Sequence, residues 1–147
     1  MHNVTIKYKQ LSDLAILPSY KSVQAAGMDL HAAINANISI LPKEIVMIPL
    51  GFAIALPEGF EAQIRPRSGL ASKFGITLPN APGTIDSDYR GEVCVPIINH
   101  GNEAFNIEPK MRIAQMVISP VIHATFELTE ILGSTKRGEG GFGSTGA

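Results

Sequence analysis

The sequence predicts an all-β fold of the sandwich or barrel type, on three observations. Short apolar, β-rich runs recur along the chain, turn residues separate them, and ten prolines and fourteen glycines leave little room for long helices. In order, the candidate strands are residues 4–8, 38–41, 45–50, 53–56, 61–65, 93–98, 105–107, 113–118 and 123–128. Pro42-Lys43 divides the second run from the third, and Pro57-Glu58-Gly59 the fourth from the fifth. Pro79-Asn80-Ala81-Pro82-Gly83, His100-Gly101-Asn102 and Glu108-Pro109 punctuate the later runs. One helical stretch of a turn or two fits residues 68–74, with Ser68 as the N-cap ahead of Leu70-Ala71-Ser72-Lys73.

At 147 residues the chain suits one domain, and 45% hydrophobic with 17% charged residues is an ordinary globular composition. A formal charge of −1 offers no global field for nucleic acid or an anionic membrane, so any anionic ligand needs local cations. The single cysteine, Cys94, excludes an internal disulfide and a multi-cysteine zinc site. The first residues lack a signal-peptide pattern, and no apolar run approaches the roughly 20 residues of a membrane helix. A cytoplasmic location is expected. The composition breaks after Leu132: residues 133–147 hold six glycines and a single large apolar side chain, Phe142. Such a segment cannot bury enough surface to offset its ordering entropy. The expected organisation is a β domain over residues 1–132 and a flexible glycine-rich arm over 133–147. The arm reads as a frayed tail, or as a lid for an aromatic, anionic ligand: Arg137, Phe142, Ser144 and Thr145 lie among glycines whose N–H groups can wrap phosphate.

Four further stretches concentrate unusual residues. Ala26-Gly27-Met28-Asp29-Leu30 carries an aspartate entering a strand, which alone reads as a turn or cap residue. Arg65-Pro66-Arg67-Ser68-Gly69 brings two arginines to a helix start, an anion-binding combination. In the segment from Asn80 to Glu92, Asp86 and Asp88 are two apart and would share a face on an extended backbone; they suit a metal site, one working base with a neighbour, or an acidic β-turn. Arg112 and Gln115 interrupt an otherwise core-like strand, and a buried amide or guanidinium must find a partner.

In this order, the segments AGMDL (26–30), RPRSGLASK (65–73), NAPGTIDSDYRGEV (80–93), RIAQMVI (112–118) and RGEGGFGSTG (137–146) resemble the five motifs of the trimeric dUTP diphosphatase family. The match spans roughly residues 26–145. The resemblance implies a jelly-roll-like β fold and a homotrimer with shared active sites, each closed by a neighbour's C-terminal arm. It implies hydrolysis of dUTP to dUMP and pyrophosphate, which keeps uracil out of DNA and supplies dUMP for thymidylate synthesis. Asp86 would be the base for water attacking the α-phosphorus, and Gln115 would help hold phosphate and water. Tyr89 would pack on the deoxyribose. The hairpin of Asn80, Gly83, Thr84 and Ile85 would read uracil, with Cys94 on the returning strand. Arg67, Ser68 and Gly69 would bind phosphates, and Asp29 would contact the water shell of a Mg²⁺ chelated by the triphosphate. From the arm, Arg137, Gly143, Ser144 and Thr145 would clamp the phosphates while Phe142 stacks on uracil. Many members carry Gly-Asp where this chain has Lys110-Met111; losing that charge puts an ion pair at Arg112 in doubt, and Lys110 reads as an inconsequential surface change.

Two rivals remain at this level. A dCTP deaminase shares the fold but would need a general-acid/base glutamate, for which Glu92 is the nearby candidate. A non-catalytic, nucleotide-sensing trimer would need neither a water-activating carboxylate nor a complete arm. His2, His31, His100 and His123 lack metal-ligand spacing, and Cys94 reads as an apolar strand residue rather than a nucleophile.

Overall fold

The computed structural model describes residues 3–143. In chain order its elements are β1 (Lys7–Gln10), β2 (Ser19–Tyr20), β3 (Met28–His31), β4 (Ile38–Ile40), β5 (Ile45–Pro49), β6 (Phe52–Ala55) and β7 (Phe60–Pro66). Then follow α1 (Ser68–Phe74), β8 (Ile76–Thr77), β9 (Gly83–Ile85), β10 (Cys94–Asn99), β11 (Phe105–Ile107) and β12 (Arg112–Pro120). Every strand pairing is antiparallel, and three of them nest: β3 with β12, β4 with β11, β5 with β10. Early strands thus meet late ones in reverse order, as in a long hairpin folded over on itself. That nesting is the jelly-roll arrangement, in agreement with the sequence expectation.

Alternation makes the core. Along β10 every second residue is buried, so Val95, Ile97 and Asn99 face inward while Cys94, Pro96 and Ile98 are partly exposed. Val95 and Ile97 belong to one core cluster with Ile48, Leu50, Leu30, Ile40 and Ile107, all fully buried, each contributing about 1.5–3 kcal/mol relative to exposure. The buried polar residue of this core is Asn99, which is satisfied three times over: its Nδ2 donates to the carbonyls of Ile40 (2.9 Å) and Glu103 (2.8 Å), and its Oδ1 accepts from Gly101 N (2.8 Å).

One sheet positions the chemistry. It has five strands in the order β2-β3-β12-β7-β9, so β12 is central and β9 is an edge. The three-residue β9 and the two-residue β2 and β8 were not foreseen. β1 begins at Lys7 rather than at residue 4, and pairs with β6 while Tyr8 packs on Phe52 at 5.1 Å. The helix matches the expected bounds, but Ser68 is its first helical residue: the cap position is the extended Arg67, whose carbonyl accepts from Ala71 N without a side-chain cap. Asp86 and Asp88 occupy a turn closed by Tyr89 N donating to Asp86 O (3.2 Å), so the shared extended face is not formed.

The expected strand at 123–128 is absent. β12 ends at Pro120, Val121 N donates to Gly59 O (2.8 Å), and beyond it the chain joins no strand, with Ile122, Phe126, Leu128 and Leu132 more than nine-tenths exposed. A strand exists only through pairing, and among the described residues this run pairs with no other strand. No helix of the described residues is long and apolar enough to cross a membrane, which leaves strand-spanning architectures untouched.

Candidate active site

Three of the five singled-out stretches converge on the β3–β12–β7 end of the sheet. Gln115 lies opposite Asp29 on one side and Arg65 on the other. Arg112 Nη1 donates to Asp29 Oδ2 at 3.1 Å, Arg67 Nε stands 3.9 Å from Asp29 Oδ1, and Arg67 Nη1 donates to the Arg112 carbonyl at 3.0 Å. The ion pair at Arg112 therefore forms without the missing charge at 111; Met111 instead packs against the core. Two guanidiniums against one carboxylate leave one net positive charge, so the cluster attracts an anion. Gln115 Nε2 donates to the Pro66 carbonyl (2.9 Å), which joins the second and fourth motifs directly. A side chain at Gly27 would overlap the Gln115 amide, so the glycine of the first motif makes room for that group.

His31 sits beside this cluster, level with Arg112. Burial lowers its pKa below 6.5; Asp29 opposes the shift, while Lys21, Arg112 and Arg67 add to it.

A second assembly surrounds β9. A cavity of about 430 Å³ is lined by Asn80, Thr84, Ile85, Asp86, Tyr89 and Cys94, with Met47 and Pro96 completing an apolar wall. β9 pairs with β7 along one side, so its outer edge carries unpaired backbone donors and acceptors. Gly83 is buried, its position tight against the Asn80 amide. Cys94 donates to Glu92 Oε2 at 3.5 Å, and burial with that carboxylate raises the thiol to about 11. It is a neutral wall residue at physiological pH, unsuited to attack as a nucleophile. Asp86 is exposed at the cavity mouth and also lines, with Asp88, a second depression of about 780 Å³.

The two assemblies do not meet within one chain. Ile85 is level with Ala62 of β7, whereas Ala114 is level with Pro66. Those levels are about 13 Å apart along the strand, and Asp86 and Arg67 each continue outward from their own end. Ser68 and Gly69 open the helix beside Arg67, where the first N–H groups have no intrahelical acceptor. In the arm, Arg137 Nε donates to Gly140 O (2.9 Å), and Phe142 and Gly143 are exposed. Ser144 and Thr145 lie outside the described residues. Sequence reasoning missed Met47 and Pro96 as cavity walls and Arg112 as the partner of Asp29; the only signal was a charge in an apolar strand. Among the described residues no three His, Cys, Asp or Glu side chains are grouped to hold a metal ion.

The chain matches the model of the dUTPase family over residues 13–146. It is 53% identical over 146 residues to the deoxyuridine 5'-triphosphate nucleotidohydrolase of Syntrophotalea carbinolica, covering 99% of both chains. It is 58% identical over 132 residues to the enzyme of that name from Chlamydia pneumoniae, covering 89% of this chain and 91% of the other. Among solved structures it is similar to a mutant dUTPase of Staphylococcus bacteriophage 80alpha with dUpNHpp, at a TM-score of 0.87 and 27% identity over 97% of this chain and 99% of that one.

Proposed function

This chain belongs to the dUTPase family, and from that premise we propose how its residues hydrolyse dUTP to dUMP and pyrophosphate. The observation that carries the reading is the edge strand β9 with Asp86 directly beyond it. Unpaired backbone groups along β9 suit uracil, whose N3–H donor and O4 acceptor are reversed in cytosine. A fixed backbone pair facing the wrong base leaves two groups unsatisfied, at about 1–3 kcal/mol each. Asn80, Gly83, Thr84 and Ile85 shape that edge, and Cys94 bounds it as a small apolar wall. Tyr89 lies against the deoxyribose, where a 2′-hydroxyl would collide with the ring.

Asp86 orients a water at the α-phosphorus and accepts its proton as the O–P bond forms; pyrophosphate leaves with the bonding electron pair. Negative charge grows on the departing group, and the Arg67 and Arg112 pair supplies the compensating field, with Ser68 and Gly69 N–H groups and the Gln115 amide as donors. Because Asp86 and Arg67 lie at opposite ends of one sheet, a complete site draws them from different copies. We assign a homotrimer with shared sites, in which the apolar stretch beyond Pro120 covers itself on a neighbour. The arm over 133–147 then closes the site through Arg137, Gly143, Ser144 and Thr145, with Phe142 stacked on the base.

The donor set fits Mg²⁺ that arrives with the triphosphate. Mg²⁺ prefers phosphate oxygens and water to a protein cage, and Asp29, already shared by two arginines, is suited to hold its water shell rather than the ion. When bound, the ion neutralises charge on the phosphate oxygens. Substrate and product are those of free nucleotide metabolism, so no nucleic-acid or membrane partner is assigned, and the cytoplasm is the proposed location. The test is turnover of dUTP, dCTP, dTTP and UTP with Mg²⁺, following pyrophosphate and ammonia together. Pyrophosphate from dUTP alone is the expected result; ammonia from dCTP would indicate deamination, and no turnover a binding module.

A further inference from the structure

We infer that Gly91 sets the sugar selectivity of the site by letting the Tyr89 ring fold back onto its own loop. The inference deepens the sugar-contact role proposed for Tyr89 and rests on it. Tyr89 is 45% exposed, so no surrounding core fixes its ring. Its own loop does so instead. Tyr89 N donates to Asp86 O at 3.2 Å, and Arg90 Nη1 donates to the carbonyls of Ser87 (2.7 Å) and Tyr89 (2.9 Å), which clasps the turn. The Tyr89 hydroxyl then donates to the Glu92 carbonyl at 2.9 Å, and the ring crosses over Gly91 to reach it.

Nothing in the backbone demands glycine there, because Gly91 is not among the residues with positive φ. The close approach demands it. A Cβ at position 91 would stand 2.5 Å from Tyr89 Oη, 2.7 Å from Cζ and 3.1 Å from Cε2. An aromatic ring cannot bend away from such contacts; it must rotate as a unit about its two side-chain torsions. Any side chain at 91 therefore breaks the Glu92 hydrogen bond and moves the ring off its place in the cavity wall. Asp86 is spared, since its turn closes through backbone groups and the Arg90 clasp. Gly91 is accordingly a positioning residue: it acts on the sugar through Tyr89, without touching substrate.

The test compares Gly91→Ala, Tyr89→Phe and Tyr89→Ala with the parent enzyme, with Mg²⁺, measuring kcat and KM for dUTP and UTP and the thermal midpoint. Gly91→Ala is expected to fold, to raise KM for dUTP about ten-fold or more, and to cut the dUTP-to-UTP ratio of kcat/KM by a similar factor. Its kcat for dUTP should stay within about five-fold, a split that general loosening would not produce. Tyr89→Phe keeps the ring and loses the tether, so it should move selectivity the same way by less. Parent-like KM and selectivity in Gly91→Ala, beside lost selectivity in Tyr89→Ala, would overturn the inference alone. Parent-like selectivity in Tyr89→Ala would remove the sugar-contact reading and the inference with it. Should Gly91→Ala fail to fold, Tyr89→Phe decides: unchanged selectivity refutes the tether.

Discussion

Replacing Asp86 with asparagine separates chemistry from structure because the side chain carries almost no structural duty. Asp86 is exposed, and among the described residues its carboxylate makes no hydrogen bond or ion pair. The contact that holds its turn runs through its backbone carbonyl to Tyr89 N, and an isosteric amide leaves that intact. A surface substitution of this kind changes stability by no more than about 0.5 kcal/mol. A positioned general base is worth about 10²–10⁴ in rate, or roughly 2.7–5.4 kcal/mol of barrier. Turnover should therefore fall by that factor while the fold and nucleotide affinity persist. Two measurements check it: continuous pyrophosphate release from dUTP with Mg²⁺, and calorimetric titration with a non-hydrolysable dUTP analogue. Turnover within about ten-fold of the parent would exclude Asp86 as the base. A loss of analogue affinity matching the loss of turnover would make the residue a binding group instead.

Deleting residues 136–147 should leave a folded protein with severely reduced activity, seen as an unchanged thermal midpoint beside depressed dUTP turnover; failure to fold would contradict a lid. Lys110 has φ of 65°, the region where glycine is at ease and a Cβ costs about 1–2 kcal/mol. Lys110→Gly should therefore stabilise the protein by about 0.5–1 kcal/mol in denaturant unfolding, part of the relief being offset by chain entropy. His31 is lowered below 6.5 by burial, so the unfolded chain takes up protons first as pH falls and stability drops through and below that value. Its Nδ1 is buried without a partner, and His31→Gln should flatten the acid limb of the stability profile; parallel limbs would dismiss the effect.

Runs with unbroken apolar character and a clear turn at each end were legible, and β4, β5, β6, β7, β10 and β11 lie within a residue of their expected bounds. β2, β8 and β9 are two or three residues long and owe their existence to pairing with β3, β10 and β7, so local pattern carried no trace of them. The run at 123–128 has strand composition, yet composition alone does not make a strand, and the run pairs with no other strand among the described residues. Site residues were legible as types in order, but not as a geometry: Arg112 reaches Asp29 across 83 positions, and Gln115 reaches Pro66 across 49. Lys110 shows the converse. It read as a neutral surface change because φ is invisible in sequence, and the structure gives the common glycine its reason.

Hydrolysis of dUTP in ¹⁸O-labelled water, with Mg²⁺ and the full-length chain, tests the proposed reaction most directly. Attack by an Asp86-directed water at the α-phosphorus places the label in the dUMP phosphate and leaves pyrophosphate unlabelled. Label found in pyrophosphate, or dUTP recovered unchanged, would contradict it.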